Sequence, residues 1–97
     1  TANQSAVMAC ETIRLVKAQY PEVHFTMGLS NISFGLPARK QINSAFLTLA
    51  MQAGLDSAIL DPLDKELRAA IVTTELLLGK DRHCLNYVRA SREGLFD

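Results

Sequence analysis

The sequence of 97 residues lacks several features that mark particular classes of protein. Its ten basic and ten acidic side chains cancel, so it offers no electrostatic footprint for nucleic acid or an anionic membrane. No apolar run approaches the ~20 residues that a membrane-spanning helix needs. The two cysteines, Cys10 and Cys84, lie far apart without a disulfide framework or metal-ligand spacing, and the N-terminus shows no secretory pattern. We therefore expect a cytoplasmic protein with no metal, nucleic-acid or membrane partner.

What the sequence does contain is an alternation of helical and strand-like segments. Apolar residues at helical spacing predict a first helix that ends before Pro21. Two short β-rich segments each precede a further helix, and a fourth helix closes the chain. Asp61 and Asp81 are predicted helix caps, and Gly54 and Gly79 predicted helix terminators. The predicted helices cover 4–19, 38–53, 62–78 and 81–92, and the predicted strands cover 23–27 and 57–60.

The two strand–loop–helix units predict an α/β fold. Their starts, Val23 and Asp56, are separated by about the length of one unit of an eight-stranded βα barrel. We expect the strands to be parallel neighbours with the helix at 38–53 crossing between them in the right-handed sense. Two parallel strands cannot cover their own faces and edges. The expected fold is thus a C-terminal fragment, about two βα units plus flanking helices, of a TIM (β/α)8 barrel. Residues 1–97 would form a partial domain that associates with further copies or with the rest of its barrel.

The loop after the first predicted strand is the richest place for chemistry, because functional groups in such folds gather beyond the carboxyl ends of strands. Asn31 offers a donor and an acceptor, Ser30 offers a hydroxyl, and Gly28 lets a ligand approach the backbone. Arg39, at the start of the next helix, is placed to hold an anion. The alternative interpretation is that Ser30 and Asn31 satisfy turn backbone groups. For Asp61, helix capping is a sufficient explanation.

The stretch GLSNISFGLP from Gly28 to Pro37, with Arg39, Asn43 and Phe46-Leu47 after it, resembles the pterin-binding methyltransferase family. That family includes methyltetrahydrofolate:corrinoid protein methyltransferases and the folate-binding domain of cobalamin-dependent methionine synthase. The resemblance runs over nearly the whole chain, in the order of the family's C-terminal end. It implies a methyltetrahydrofolate-dependent methyltransferase that, when its barrel is complete, passes the methyl group to the corrinoid (cobalamin) of a partner protein.

The resemblance also implies roles for individual residues. Asn31 matches the family asparagine that approaches the methyl-bearing nitrogen of the pterin, and is the expected catalytic residue. Gly28, Ser30, Asn31 and Arg39 match substrate-binding positions. The family's pterin-anchoring aspartates and its second asparagine belong to earlier strands, so we expect the fragment to be inactive alone.

Two alternatives stay open. Dihydropteroate synthase shares the barrel and the pterin substrate, but it carries a Ser-Arg-Lys type of loop and an Arg-x-His signature after its last strand. Here the loop reads Ser-Asn-Ile-Ser-Phe, and the last strand runs into Leu-Asp-Pro-Leu-Asp. The other alternative is an inactive barrel fragment whose property is self-association. A folate-binding titration together with gel filtration separates these readings.

Overall fold

The computed structural model describes residues 2–24, 26–28, 35–55, 57–59 and 64–97. Helix α1 (Ala2–Gln19) opens the chain, and strand β1 (Thr26–Gly28) precedes helix α2 (Arg39–Ala53). Strand β2 (Ser57–Ile59) precedes helix α3 (Lys65–Leu77). A 3₁₀ turn (Arg82–Cys84) leads into helix α4 (Leu85–Arg92). The strands form a two-stranded parallel ribbon in which Thr26 lies opposite Ser57 and Gly28 opposite Ile59.

The α/β barrel-fragment class predicted from the sequence is wrong for this chain. The described residues are predominantly helical, and each strand has only three residues. The buried cluster that the structure describes draws most of its residues from helices. The predicted parallel pairing of the two segments is confirmed, but over a shorter length. One physical reason is the turn after α1, in which the Val23 N–H donates to the Tyr20 carbonyl at 3.0 Å, so the residues around Val23 belong to that turn and not to β1.

The core lies where α1, α2 and α3 meet. From α2, Phe46 and Leu47 are each 2% exposed, and Ile13 of α1 is equally buried. Burying a side chain of this size stabilises the fold by roughly 1.5–3 kcal/mol. The residues of this buried cluster are Cys10, Ile13, Phe46, Leu47, Ala50, Ala53, Leu55 and Leu67.

Gly54 ends α2 as predicted. Its φ of 123° is a conformation that side chains disfavour, and its N–H reaches the carbonyls of Ala50 and Met51. A Cβ at this position would lie 3.1 Å from Cγ of Lys17, so the glycine also permits the close approach of α1 to the end of α2. The predicted terminator therefore has a packing role as well as a conformational one.

The predicted start of α3 is wrong by three residues. The helix begins at Lys65, and its N-cap is Asp64, whose carboxylate accepts the Leu67 N–H at 3.2 Å. The predicted cap, Asp61, lies outside the described residues. At the other end Gly79 follows the helix as predicted, with a φ of 76°. The Lys80 N–H then donates to the Glu75 carbonyl at 2.8 Å, which closes the last turn of α3.

The side chain of Asp81 accepts from the start of the last helix as a cap does, but the N-cap position is Cys84, because α4 starts later than predicted. Its two carboxylate oxygens accept the backbone N–H groups of Asn86 and Tyr87, each at 2.9 Å. The delay arises in the 3₁₀ turn, where His83 and Cys84 adopt left-handed φ values of 59° and 60° that an α-helix excludes.

The four helices follow one another side by side, α1 against α2, α2 against α3, and α3 against α4. The molecule is accordingly flattened, with extents of 36 × 34 × 17 Å. Among the described residues, no helix is both long and apolar enough to cross a lipid bilayer.

Candidate functional site

The two parallel strands end at the same edge of the ribbon, and the predicted site begins at the end of β1. Gly28 is the last residue of β1, and it lies opposite Ile59, the last residue of β2. The chain therefore leaves both strands at the same edge. Ser30 and Asn31, which follow Gly28, lie outside the described residues, so their predicted roles stay predictions. Because α2 must return the chain to the start of a parallel strand, its N-terminus lies towards this edge.

Arg39 and Lys40 form the first turn of α2 at that edge, and both side chains are exposed. The residue before them, Ala38, has a left-handed φ of 52° and makes no side-chain cap hydrogen bond. The first turn contains no acidic residue. Because the N-terminus of a helix carries a partial positive charge, the two cations add to it. This end of α2 is thus an electropositive surface.

Asn43 is a candidate that the sequence reasoning quoted but did not assign. Its Oδ1 is buried and has no hydrogen-bond partner, and the same is true of Oγ of its neighbour Ser44. Asn43 stands one turn before the buried pair Phe46 and Leu47, and one turn after Arg39. The signal for it was an amide at an apolar-stripe position of a helix. A buried acceptor without a partner costs about 1–3 kcal/mol, so this position calls for an explanation.

The neighbouring groove between α2 and α3 is open and mostly apolar, with a few hydroxyl groups in its wall. It encloses about 420 Å³ and is lined by Ser44, Thr48 and Thr74 among others. The hydroxyls of Thr48 and Thr74 lie 3.0 Å apart, and the Thr48 hydroxyl also reaches the Ser44 carbonyl at 3.3 Å. The two threonine hydroxyls therefore form a polar contact between α2 and α3.

The described part of the chain offers no metal cluster, and its buried thiol, Cys10, is not activated. No group of three or more His, Cys, Asp or Glu side chains in that part could hold a metal ion. Burial raises the pKa of the Cys10 thiol, and the nearby Arg14 offsets this only in part. Cys10 is therefore a neutral core residue at neutral pH, not a nucleophile.

No family model matches the chain, but comparison with individual proteins finds relatives. It is 48% identical over 94 residues to the methylcorrinoid:tetrahydrofolate methyltransferase of Eubacterium limosum, a match that covers 97% of this chain and 35% of that protein. Methionine synthase of Mycobacterium tuberculosis is 50% identical over 60 residues, which is 60% of this chain and 5% of the synthase. Methionine synthase of Mycobacterium leprae is 47% identical over a segment of the same length.

Such identity over nearly all of the chain means common descent, and the resemblance seen in the sequence is confirmed. Its relatives are proteins named methylcorrinoid:tetrahydrofolate methyltransferase and methionine synthase. The chain spans only 35% of the length of the Eubacterium limosum relative and 5% of the length of the mycobacterial ones.

Proposed function

We propose that this chain is part of an enzyme that moves a methyl group between tetrahydrofolate and a corrinoid. The observation that carries the proposal is the 48% identity over 97% of the chain to a protein named for that pair of substrates. That name has the methylcorrinoid as donor, whereas the sequence resemblance implies methyltetrahydrofolate as donor. Both describe one reaction read in opposite directions, so the same residues serve either direction.

In this proposal the start of α2 receives the anionic part of the folate. Tetrahydrofolate ends in glutamate carboxylates, and the exposed cationic side chains of Arg39 and Lys40 attract them together with the positive end of the helix dipole of α2. Charge-assisted hydrogen bonds of this kind are typically worth ~1.5–3 kcal/mol. Gly28, at the end of β1, has no side chain to hold the folate away from the backbone.

Asn31 is the proposed catalytic residue, on the strength of the family resemblance. The methyl group leaves a tertiary-amine-like nitrogen, and such an amine is a poor leaving group until it is protonated or hydrogen-bonded. The methyl–nitrogen bond would break with its electron pair left on the nitrogen, which a proton or a hydrogen bond stabilises, and the corrinoid would supply the electron pair of its new bond to the methyl group. A carboxamide accepts a hydrogen bond from the protonated nitrogen and, after a flip, donates to the unprotonated one. The interaction strengthens as charge shifts, so it favours turnover more than binding.

A chimera tests the function. The matched segment of the Eubacterium limosum enzyme is replaced by this chain, and methyl transfer is followed through the visible absorbance of the corrinoid. We expect transfer within about tenfold of the parent enzyme, because a related segment supplies the same groups. Tetrahydrofolate binding is measured alongside by calorimetry. A chimera that folds normally by circular dichroism but transfers no methyl group in either direction would contradict the proposal.

A further inference from the structure

The end of α4 lies towards the same edge of the molecule as the proposed folate contact. α3 begins towards the edge where β1 and β2 end, because it follows β2 in the chain. The amino group of Lys65, the first residue of α3, donates to the Asp97 carbonyl at 3.2 Å, and Asp97 comes after the end of α4. α4 therefore runs antiparallel to α3, and its last turn lies near the starts of α2 and α3.

A groove of about 290 Å³ lies between α3 and α4. Arg68 of α3 and Arg89 of α4 line it, together with Asn86 and Glu93, and all four residues are exposed. Among the residues that the structure describes, neither guanidinium makes an ion pair or a hydrogen bond. The groove thus carries two guanidinium groups against one carboxylate, an excess of positive charge.

One of these two cations has an ordinary structural explanation and the other does not. Arg89 lies in the last turn of α4, where the negative end of the helix dipole favours a cation. Arg68 is the fourth residue of α3, where the positive end of the dipole disfavours one. It also shares the groove with Arg89, and like charges repel each other. An anion in the groove would offset both costs, and guanidinium groups are well suited to binding a carboxylate.

The groove is within reach of an anion held at the start of α2. The helices α2, α3 and α4 pack side by side in this order. Packed helices are about 8–10 Å apart, so the groove lies on the order of 10–20 Å from Arg39 and Lys40. An extended chain covers about 3.5 Å per residue, so an acidic chain of roughly three to five residues spans this distance.

We propose that the groove between α3 and α4 binds the outer glutamates of a tetrahydrofolate that carries a chain of γ-linked glutamates. This inference rests on the proposed function, in which the start of α2 receives the first glutamate. The charge of the groove selects this occupant, because an uncharged or cationic segment of polypeptide would leave both guanidinium groups unneutralised. A folate that binds at the start of α2 also needs this edge open to solvent, so the rest of a longer polypeptide leaves the edge uncovered.

The experiment compares tetrahydrofolate that has one glutamate with tetrahydrofolate that has five, by calorimetry on the chimera. We expect the five-glutamate form to bind about tenfold more tightly, as two exposed ion pairs provide. This gain should largely disappear in 1 M salt, because salt screens exposed charges.

Two variants locate the gain. The double change Arg68→Gln and Arg89→Gln should bring the ratio of the two affinities to about one, because it removes both guanidinium groups. Arg82→Gln is the matched control, since Arg82 is an exposed arginine that precedes the other end of α4, and it should leave the ratio at about tenfold. Circular dichroism checks that each variant folds.

The outcomes separate this inference from the proposed function. If neither form of the folate binds, both fail. If the two forms bind with equal affinity, the inference fails and the folate contact at α2 stands. A gain that survives the double change would place the outer glutamates elsewhere, as expected if another part of the protein fills the groove, and would also overturn the inference.

Discussion

The starts of α2 and α3 hold equivalent places in the chain but are built in opposite ways. Each helix follows one strand of the parallel ribbon, so both begin towards the same edge. α3 has an aspartate cap, Asp64, whose side chain accepts the Leu67 N–H, and it has Glu66 in its first turn. α2 starts from the left-handed Ala38 without a side-chain cap and continues with Arg39 and Lys40.

The α3 start has the features that stabilise a helix, whereas the α2 start has the positive charge that suits an anion. A good N-cap is worth ~1 kcal/mol, and acidic residues in the first turn add ~0.3–1 kcal/mol through the helix dipole. α3 has both contributions. α2 has neither, and its two cations oppose the dipole, so its start is less stable by comparison. We infer that the α2 start is kept electropositive for binding, in line with the proposed folate contact.

The largest expected effect is at Asn31, which precedes α2 in the sequence. In the chimera, Asn31→Ala should slow methyl transfer by ~10²–10³-fold, as for other positioned charge-stabilising groups. Tetrahydrofolate affinity should change much less, because the interaction belongs to the transition state. Steady-state kinetics and calorimetric binding of the same samples measure the two quantities.

Asn86→Ala is the matched control for this variant. Asn86 is an exposed asparagine on α4 and should leave the rate unchanged. The competing interpretation makes Asn31 a turn residue, whose loss costs ~1 kcal/mol of stability and leaves turnover intact. Near-normal turnover with a lowered melting temperature would therefore remove Asn31 from the catalytic step.

The next largest effect concerns Asp81, which caps a third helix start. This carboxylate is 8% exposed and accepts two backbone N–H groups, so Asp81→Ala leaves two donors of α4 without an acceptor. We expect a loss of about 2–3 kcal/mol in the free energy of unfolding, measured by urea titration. Asp81→Asn keeps one acceptor oxygen and should lose about half as much. Asp97→Ala, at the exposed C-terminus, is the control, and a loss there as large as at Asp81 would contradict the capping role.

Local sequence predicted the ends of the helices better than it predicted the strands or the fold class. Gly54, Gly79 and Asp81 act on backbone groups within six residues of themselves, so their roles could be predicted without the fold. The α3 start could not, because Asp61 and Asp64 are both plausible caps, and the position of Leu67 in the core favours the second. The strands were predicted too long because their length depends on the partner strand and on the turn after α1, which residue preferences do not encode.

The candidate site was predictable in part. The sequence placed Gly28 at a strand end and Arg39 at a helix start, and both positions are confirmed. The sequence did not single out Asn43. Whether its Oδ1 has a hydrogen-bond partner depends on the atoms that pack around α2, which the sequence does not show. The catalytic and binding roles of Asn31 and Ser30 rest on the family resemblance and remain predictions.

A smaller effect is expected at the cap of α3. Asp64→Ala removes the acceptor of the Leu67 N–H and should lower the free energy of unfolding by about 1 kcal/mol. Asp64→Ser retains a capping oxygen and should recover most of this loss.

Ala38→Gly is the opposite change at α2, and it should stabilise the chain by up to about 1 kcal/mol, because glycine adopts the left-handed conformation without strain. If Ala38→Gly and Asp64→Ala both left the urea midpoint unchanged, the two helix starts would not differ in their contribution to the free energy of unfolding.

The smallest expected effect is the most direct test of the contrast, because it exchanges charges between the two starts. Lys40→Glu puts an acidic residue in the first turn of α2 and should raise the free energy of unfolding by ~0.3–1 kcal/mol, whereas Glu66→Lys should lower it by a similar amount at α3. Both shifts are electrostatic and exposed, so they should largely vanish in 1 M salt, where the Debye length falls to about 3 Å. In the chimera, only Lys40→Glu should also weaken tetrahydrofolate binding, since only the α2 start is proposed to face the folate carboxylates. Stability shifts of the same sign in both variants would show that the helix dipole does not govern these ends. Equal losses of folate affinity would show that the anion is not held at α2 in particular.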